Sequence, residues 1–220
     1  MNFDSLVARQ REYFHSGATR PLSFRMEALR KLQKALQDNE DLIAKAMKSD
    51  LNKSTFESYM TETGMVLDEI RFHLKHLPKW IKTKNVPTPL TQFHAKSFVV
   101  PEPYGVAIVM SPWNYPVQLC LNPVVGAISG GNCAVIKPSA YAAATSAALA
   151  KIIGEAFPPE YLTVVEGGRE QNNALLEQAF DYIFFTGSVE VWPCTTMPSE
   201  SPTSSTSTPA ASSTRAKLAS

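Results

Sequence analysis

Through the first 80 residues apolar positions recur at helical spacing; beyond residue 98 they gather into short continuous runs. Met26, Leu29, Leu32 and Leu36 form one apolar stripe with Arg25, Lys31 and Lys34 off it, and Ser23 stands where an N-cap would be expected. Ser54-Thr55-Phe56-Glu57 has the form of a capping box. The helix it would open carries Met65, Val66, Ile70, Leu74 and Leu77 and is expected to stop before Pro78. Residues 82–91, with Pro87 and Pro89, read as an extended linker.

Beyond the linker, Phe98-Val99-Val100 reads as a short strand, and a turn over residues 101–105 leads into the buried strand 106–110. Helical and strand-like stretches then alternate. Helix is predicted over 117–129, 140–157 and 171–179, and strand over 133–136, 162–165 and 182–185. Continuously apolar strands separated by helices indicate a parallel sheet covered on both faces, so the fold class is α/β with an incomplete doubly wound sheet. After Thr186-Gly187-Ser188 and a short Val189-Glu190-Val191 continuation the pattern breaks. From Trp192 the chain is mostly Ser, Thr, Pro and Ala, with too little apolar surface to offset its chain entropy, and disorder is expected there.

Composition narrows the picture only slightly. Hydrophobic content of 44% and charged content of 19% suit a globular domain, and a net charge of +1 offers no electrostatic reason to bind nucleic acid or an anionic membrane. No apolar run approaches the roughly 20 residues needed to span a bilayer, and the N-terminus has no basic stretch followed by an apolar one. Cys120, Cys133 and Cys194 are odd in number and lack metal or redox-motif spacing, so a reducing, cytoplasmic location is expected, with no metal site.

Ligands of open parallel sheets bind beyond the carboxyl ends of the strands. Those positions hold Ser111-Pro112-Trp113-Asn114-Tyr115-Pro116, Lys137-Pro138-Ser139, Glu166-Gly167-Gly168 and Thr186-Gly187-Ser188. Singly they read as a rigid turn around a core Trp113, a solvated lysine, a glycine turn and a plain N-cap. Together they share one sheet edge, where a lysine can bond ribose hydroxyls and a Gly-Ser turn can admit a pyrophosphate to backbone amides.

The combination resembles the aldehyde dehydrogenase superfamily, and its class 3-like branch most closely, over residues 14–191. The resemblance rests on Gly17-Ala18-Thr19-Arg20-Pro21-Leu22 followed by Phe24-Arg25, on Pro112-Trp113-Asn114-Tyr115-Pro116 and Gly130-Gly131-Asn132, and on Ile136-Lys137-Pro138-Ser139 and Phe185-Thr186-Gly187-Ser188. It implies an NAD- or NADP-dependent oxidation of a small-molecule aldehyde to a carboxylic acid, through a cysteine thiohemiacetal, hydride transfer and thioester hydrolysis. It implies that Asn114 supplies an oxyanion-hole amide and that Lys137 bonds the adenosine ribose. It also implies that Met110, Ser111, Pro112 and Trp113 line the cofactor cleft, that Gly187 and Ser188 form the pyrophosphate turn, and that Ser139, Ala140, Gly167, Thr186 and Val191 complete the cofactor surface. A homodimer is the implied assembly.

Three departures from the family pattern shape the expectation for this chain. Ala140 stands where relatives commonly carry an acidic residue, which makes a 2′-phosphate more acceptable. Trp192 and Pro193 replace a glycine and the start of a helix, as after a shifted frame, an altered splice or an artificial junction. The nucleophilic cysteine and general-base glutamate lie, in the family, beyond that point. Cys120 and Cys133 are expected to be buried packing residues, and His15, His73, His76 and His94 to be surface or packing residues. The expected organisation is a helical region at 1–80, a linker and edge strand at 81–105, a partial NAD(P)-binding unit at 106–191, a disordered tail at 192–220 and no catalytic domain. The expected behaviour is weak nucleotide binding without aldehyde oxidation. The alternative is a non-catalytic fragment that associates with, or inhibits, a full-length enzyme through its sheet edge.

Overall fold

The computed structural model describes residues 2–187. The expectations for Ser188, Val191, the break at Trp192, Cys194 and the tail therefore lie outside the described residues.

Four parallel strands form the centre: β3 (Val106–Met110), β4 (Cys133–Lys137), β5 (Leu162–Val164) and β6 (Tyr182–Phe185), in the order β5-β4-β3-β6. Ala107 pairs with Ala134 and with Tyr182, and Ala134 with Leu162, so all four carboxyl ends meet at one edge. Strand alternation sorts the core between the two faces. Ala107, Val109, Ala134 and Ile136 join one apolar cluster with Leu29, Leu32, Ile70, Leu121, Ile128 and Ile153. Ile108, Met110 and Val135 join a second with Leu6, Val165 and Leu175.

The first cluster is built by α2 (Leu22–Asp38), α3 (Glu40–Leu51), α5 (Gly64–Trp80), α6 (Gln118–Gly130) and α7 (Ala143–Ala156). The second face is covered by α1 (Phe3–His15) and α8 (Arg169–Leu176). Helix α1 is fixed to the sheet by polar contacts as well. Gln10 Nε2 donates to the Ala134 and Pro159 carbonyls at 3.2 and 3.0 Å, and Arg11 pairs with Asp181 at 3.0 Å. Asp181 also accepts the Val106 amide at 2.8 Å, tying α1 to the start of two strands.

Several local details differ from the sequence reading. Pro21, not Ser23, precedes the first turn of α2, its φ of −60° and ψ of 141° leading the chain into the helix. Ser54 does cap, accepting the Glu57 amide at 3.1 Å. The segment it opens runs from α4 (Thr55–Ser58) through a π-helical turn (Tyr59–Thr63) into α5. Pro78 does not end α5. A proline in the last turn forfeits one amide bond while its φ is already helical, and the Ile81 amide bonds Leu77 beyond it. The linker contains an antiparallel ribbon, β1 (Lys84–Val86) against β2 (Ser97–Val99), with the Thr88 and Ser97 hydroxyls bonded at 3.0 Å. Among the described residues no helix is long and apolar enough to cross a membrane.

Two of the sequence signatures hold one another. The Arg25 guanidinium is buried and donates to the Thr19 and Ser129 carbonyls at 3.2 and 3.1 Å, while the Thr19 hydroxyl donates to the Gly131 carbonyl at 2.7 Å. Gly131 closes α6 with φ +82°, and a Cβ there would sit 2.7 Å from the guanidinium. Asn132 then accepts the Gly105 amide at 3.0 Å, setting the start of β3. Gly131→Ala is accordingly expected to lower stability by about 1–3 kcal/mol, combining a left-handed backbone with a clash against a side chain held at two points. The urea midpoint measures it.

Candidate functional site

Because β3, β4, β5 and β6 run parallel, the segments that follow them form one rim. The Ser111 amide donates to the Lys137 carbonyl at 3.2 Å, the Thr186 amide to the Met110 carbonyl at 3.0 Å, and the Val165 amide to the Ile136 carbonyl at 2.8 Å. Met110, Ser111, Lys137 and Thr186 are thus brought together at the ends of adjacent strands. Pro112 is half-buried and Trp113, Asn114 and Tyr115 are exposed. Trp113 is therefore not a core residue.

The Lys137 side chain is buried, only 2% exposed, and its Nζ donates to the Pro138 carbonyl at 2.8 Å and the Gly167 carbonyl at 2.6 Å. Burial lowers the pKa of the ammonium from its ordinary value, with the nearby Cys120 and Glu166 acting in the opposite direction. Gly167 has φ +125°, and a Cβ there would lie 2.5 Å from the Gln171 side-chain oxygen, which itself accepts the Gly168 amide at 2.9 Å. The β5 loop is therefore a tight cradle beside the lysine. Ser139 is half-buried, its hydroxyl accepting the Tyr141 amide at 3.3 Å, and Ala140 is exposed. Gly187 follows Thr186 on the rim, where a Cβ would meet the Phe185 ring at 2.8 Å.

Helix N-termini are the natural anion sites of such a rim, because four amides there lack intrahelical partners. Here carboxylates of the chain itself occupy two of them. Asp50 accepts the Ala144 and Thr145 amides at 3.1 and 2.7 Å and caps α7, whose own N-cap, Ala142, has no side-chain acceptor. Glu62 accepts the Val117 and Gln118 amides, both at 2.9 Å, and caps α6. Glu62 is wholly buried and its other oxygen pairs with Lys53 at 2.5 Å. Lys53 also donates to the Asn114 carbonyl at 3.3 Å and lies 4.3 Å from the centre of the Tyr115 ring.

The sequence reading did not single out Asp50, Lys53 or Glu62. One signal was present: Glu62, Val66 and Ile70 follow at four-residue spacing, so a carboxylate stands in line with apolar helix positions.

Cys120, Cys133 and His73 are built into the packing of the described residues. Cys120 and Cys133 are fully buried, and desolvation pushes each thiol up to about 12. His73 bridges Ser129 and Glu69 at 2.6 and 3.0 Å, between α5 and α6. Among the described residues no group of three or more His, Cys, Asp or Glu could hold a metal.

The aldehyde dehydrogenase family model matches residues 1–193. A 4,4'-diaponeurosporen-aldehyde dehydrogenase of Staphylococcus aureus is 44% identical over 179 residues, which cover 81% of this chain and 39% of that protein. Human aldehyde dehydrogenase family 3 member B1 is 41% identical over 185 residues, 84% of this chain and 40% of that protein. A solved substrate-bound Staphylococcus aureus AldH superposes with a TM-score of 0.84 at 42% identity, covering 85% of this chain and 41% of the other. A Methanocaldococcus jannaschii glyceraldehyde-3-phosphate dehydrogenase complexed with NADP shares the fold at 21% identity, with a TM-score of 0.74, 86% of this chain and 42% of the other covered. The chain thus spans about two fifths of the length of these relatives.

Proposed function

Because this chain belongs to the aldehyde dehydrogenase family, we propose that its parallel-sheet rim is the seat of NAD or NADP and that Asn114 is the oxyanion-hole donor beside it. The observation that carries this reading is the convergence of Met110, Ser111, Lys137 and Thr186 at the ends of adjacent parallel strands.

The residues present fit a dinucleotide. Lys137 has three ammonium protons and two carbonyl acceptors, which leaves one donor for a ribose hydroxyl. The exposed Ala140 presents no carboxylate to a 2′-phosphate, so NADP is as acceptable as NAD. With the α6 and α7 N-termini already occupied by Glu62 and Asp50, the pyrophosphate would fall to the residues after β6, from Gly187 through Ser188 to Val191. Met110, Ser111, Pro112 and Trp113 would line the cofactor cleft, with Ser139, Gly167 and Thr186 at its margins. A dinucleotide held there would supply the hydride acceptor of the family's reaction. The exposed Asn114 amide faces no competing role and is available to stabilise negative charge on the carbonyl oxygen.

In this reading the 220-residue chain binds dinucleotide and does not oxidise aldehydes by itself. Neither described cysteine suits nucleophilic catalysis, since a reactive thiol requires a lowered pKa and access, and Cys120 and Cys133 have neither. NADPH at about 100 times its Kd is expected to raise the melting temperature by about 5–10 °C. Mixing the chain with NAD or NADP and a long-chain aldehyde is expected to produce no reduced cofactor. An unmoved melting temperature sinks the binding half of the proposal, and formation of reduced cofactor sinks the other.

A further inference from the structure

We propose that Lys53 and Glu62 are positioning residues for Asn114: a buried ion pair, seated on a π-helical turn, that fixes the loop carrying the carbonyl-polarising amide. This deepens the reading of Asn114 given above and rests on it.

The loop between β3 and α6 has few anchors of its own. Trp113, Asn114 and Tyr115 are exposed, and no residue of the loop caps the helix that follows. The anchor comes instead from the helical layer beneath. Glu62 uses both carboxylate oxygens, Oε1 for Lys53 and Oε2 for the Val117 and Gln118 amides, which fixes where α6 begins. Lys53 spends its donors on Glu62 and on the Asn114 carbonyl, and its charge lies against the Tyr115 ring. The pair therefore grips the chain at two points just beyond the Asn114 side chain, at its own carbonyl and three residues later. An exposed amide held in this way meets a developing oxyanion without first having to be ordered, which is the condition for electrostatic preorganisation.

The backbone that presents Glu62 is itself specialised. The turn Tyr59–Thr63 is π-helical, and the Gly64 amide donates to the Tyr59 carbonyl, five residues back. A Cβ on Gly64 would lie 2.7 Å from that carbonyl oxygen, so the wide turn depends on glycine there. π turns inside α-helices occur frequently at functional sites, and of the two buried residues on this one, Glu62 and Thr63, Glu62 carries the charge. A helix built only to pack would have no need of it.

The test uses the 220-residue chain labelled with nitrogen-15. The Asn114 side-chain amide is followed by NMR and the backbone amides of residues 114–118 by hydrogen exchange, in wild type, Lys53→Met and Lys53→Arg. Wild type is expected to show one sharp Asn114 amide pair. In Lys53→Met that pair should broaden or average, and the Asn114 and Tyr115 amides should exchange at least about tenfold faster. Val117 and Gln118 should stay protected, because Glu62 still caps them. Lys53→Arg should restore the wild-type signature. If Lys53→Met fails to fold, Lys53→Gln is read by the same criteria. Gly64→Ala, which touches neither the loop nor the pair, should reproduce the Asn114 broadening by displacing the π turn. If the Lys53 variants lose thermal stability while the Asn114 amide and loop exchange stay as in wild type, the pair is scaffold only and the proposal is overturned. NADPH titration of the same samples separates the two claims. Absence of binding by wild type would sink the cofactor reading and leave the Asn114 result readable.

Discussion

Glu62→Ala is expected to cost the chain about 3–5 kcal/mol of stability, read as a lower urea midpoint at unchanged slope. The magnitude follows from what the substitution leaves behind. The carboxylate is wholly buried and accepts three hydrogen bonds, so its removal strands the Lys53 ammonium in a site where that side chain is only 11% exposed. It also uncaps α6, a loss worth about 1 kcal/mol by itself. The same logic predicts a non-additive double variant. Lys53→Met with Glu62→Leu removes both charges together and should be less destabilising than Glu62→Ala alone, since a hydrophobic pair leaves no stranded ion. A loss under about 1 kcal/mol for Glu62→Ala would mean that water reaches Lys53 and that the pair does not hold the loop.

Much of the fold was legible because its signals are local. Val106-Ala107-Ile108-Val109-Met110 and Cys133-Ala134-Val135-Ile136 are continuous apolar runs bounded by turns, which only strands buried on both faces require. The strand-end motifs followed from the same geometry, and Lys137 and Thr186 stand on the rim as the parallel topology requires. The missed details have non-local causes. Ser23 looked like a cap because a cap is judged from its neighbours, yet Pro21 sets the start of α2. The ribbon of Lys84–Val86 with Ser97–Val99 has no alternation to announce it, being held by backbone pairing and the Thr88–Ser97 contact. Most instructive are the caps of α6 and α7. Their acceptors lie 55 and 94 residues away in sequence, on helices that local patterning assigns only to packing. The expected ribose and oxyanion residues could thus be named from sequence, whereas the carboxylates that cap the neighbouring helices could not.

Stability should also fall steeply as the pH rises from about 9 towards about 12, because of the two buried thiols. Cys120 and Cys133 have an ordinary value of 9.0, and in the folded chain each is pushed up to about 12 by desolvation. Below pH 9 both states hold the thiol protons and the thiols impose no penalty. Above it the unfolded chain releases them and the native chain does not, so the native state binds more protons and stability declines until the folded value is passed. The slope is about 1.4 kcal/mol per pH unit for each thiol, and about twice that for the pair. Burial raises Tyr13 and Tyr161 in the same direction, which steepens the decline above about pH 10. The thiol contribution is isolated by urea unfolding of wild type and of Cys120→Ala/Cys133→Ala between about pH 8.5 and 10. The double variant should be less stable at the lower pH, through lost packing, but nearly flat where wild type falls. Equal slopes would mean that the thiols ionise in the native state, and would reopen Cys120, whose helix begins three residues after Tyr115, as a nucleophile. Iodoacetamide gives the matching chemical readout. Modification of Cys120 and Cys133 near pH 8 should require denaturant, because a thiol held neutral and away from solvent cannot supply the attacking thiolate.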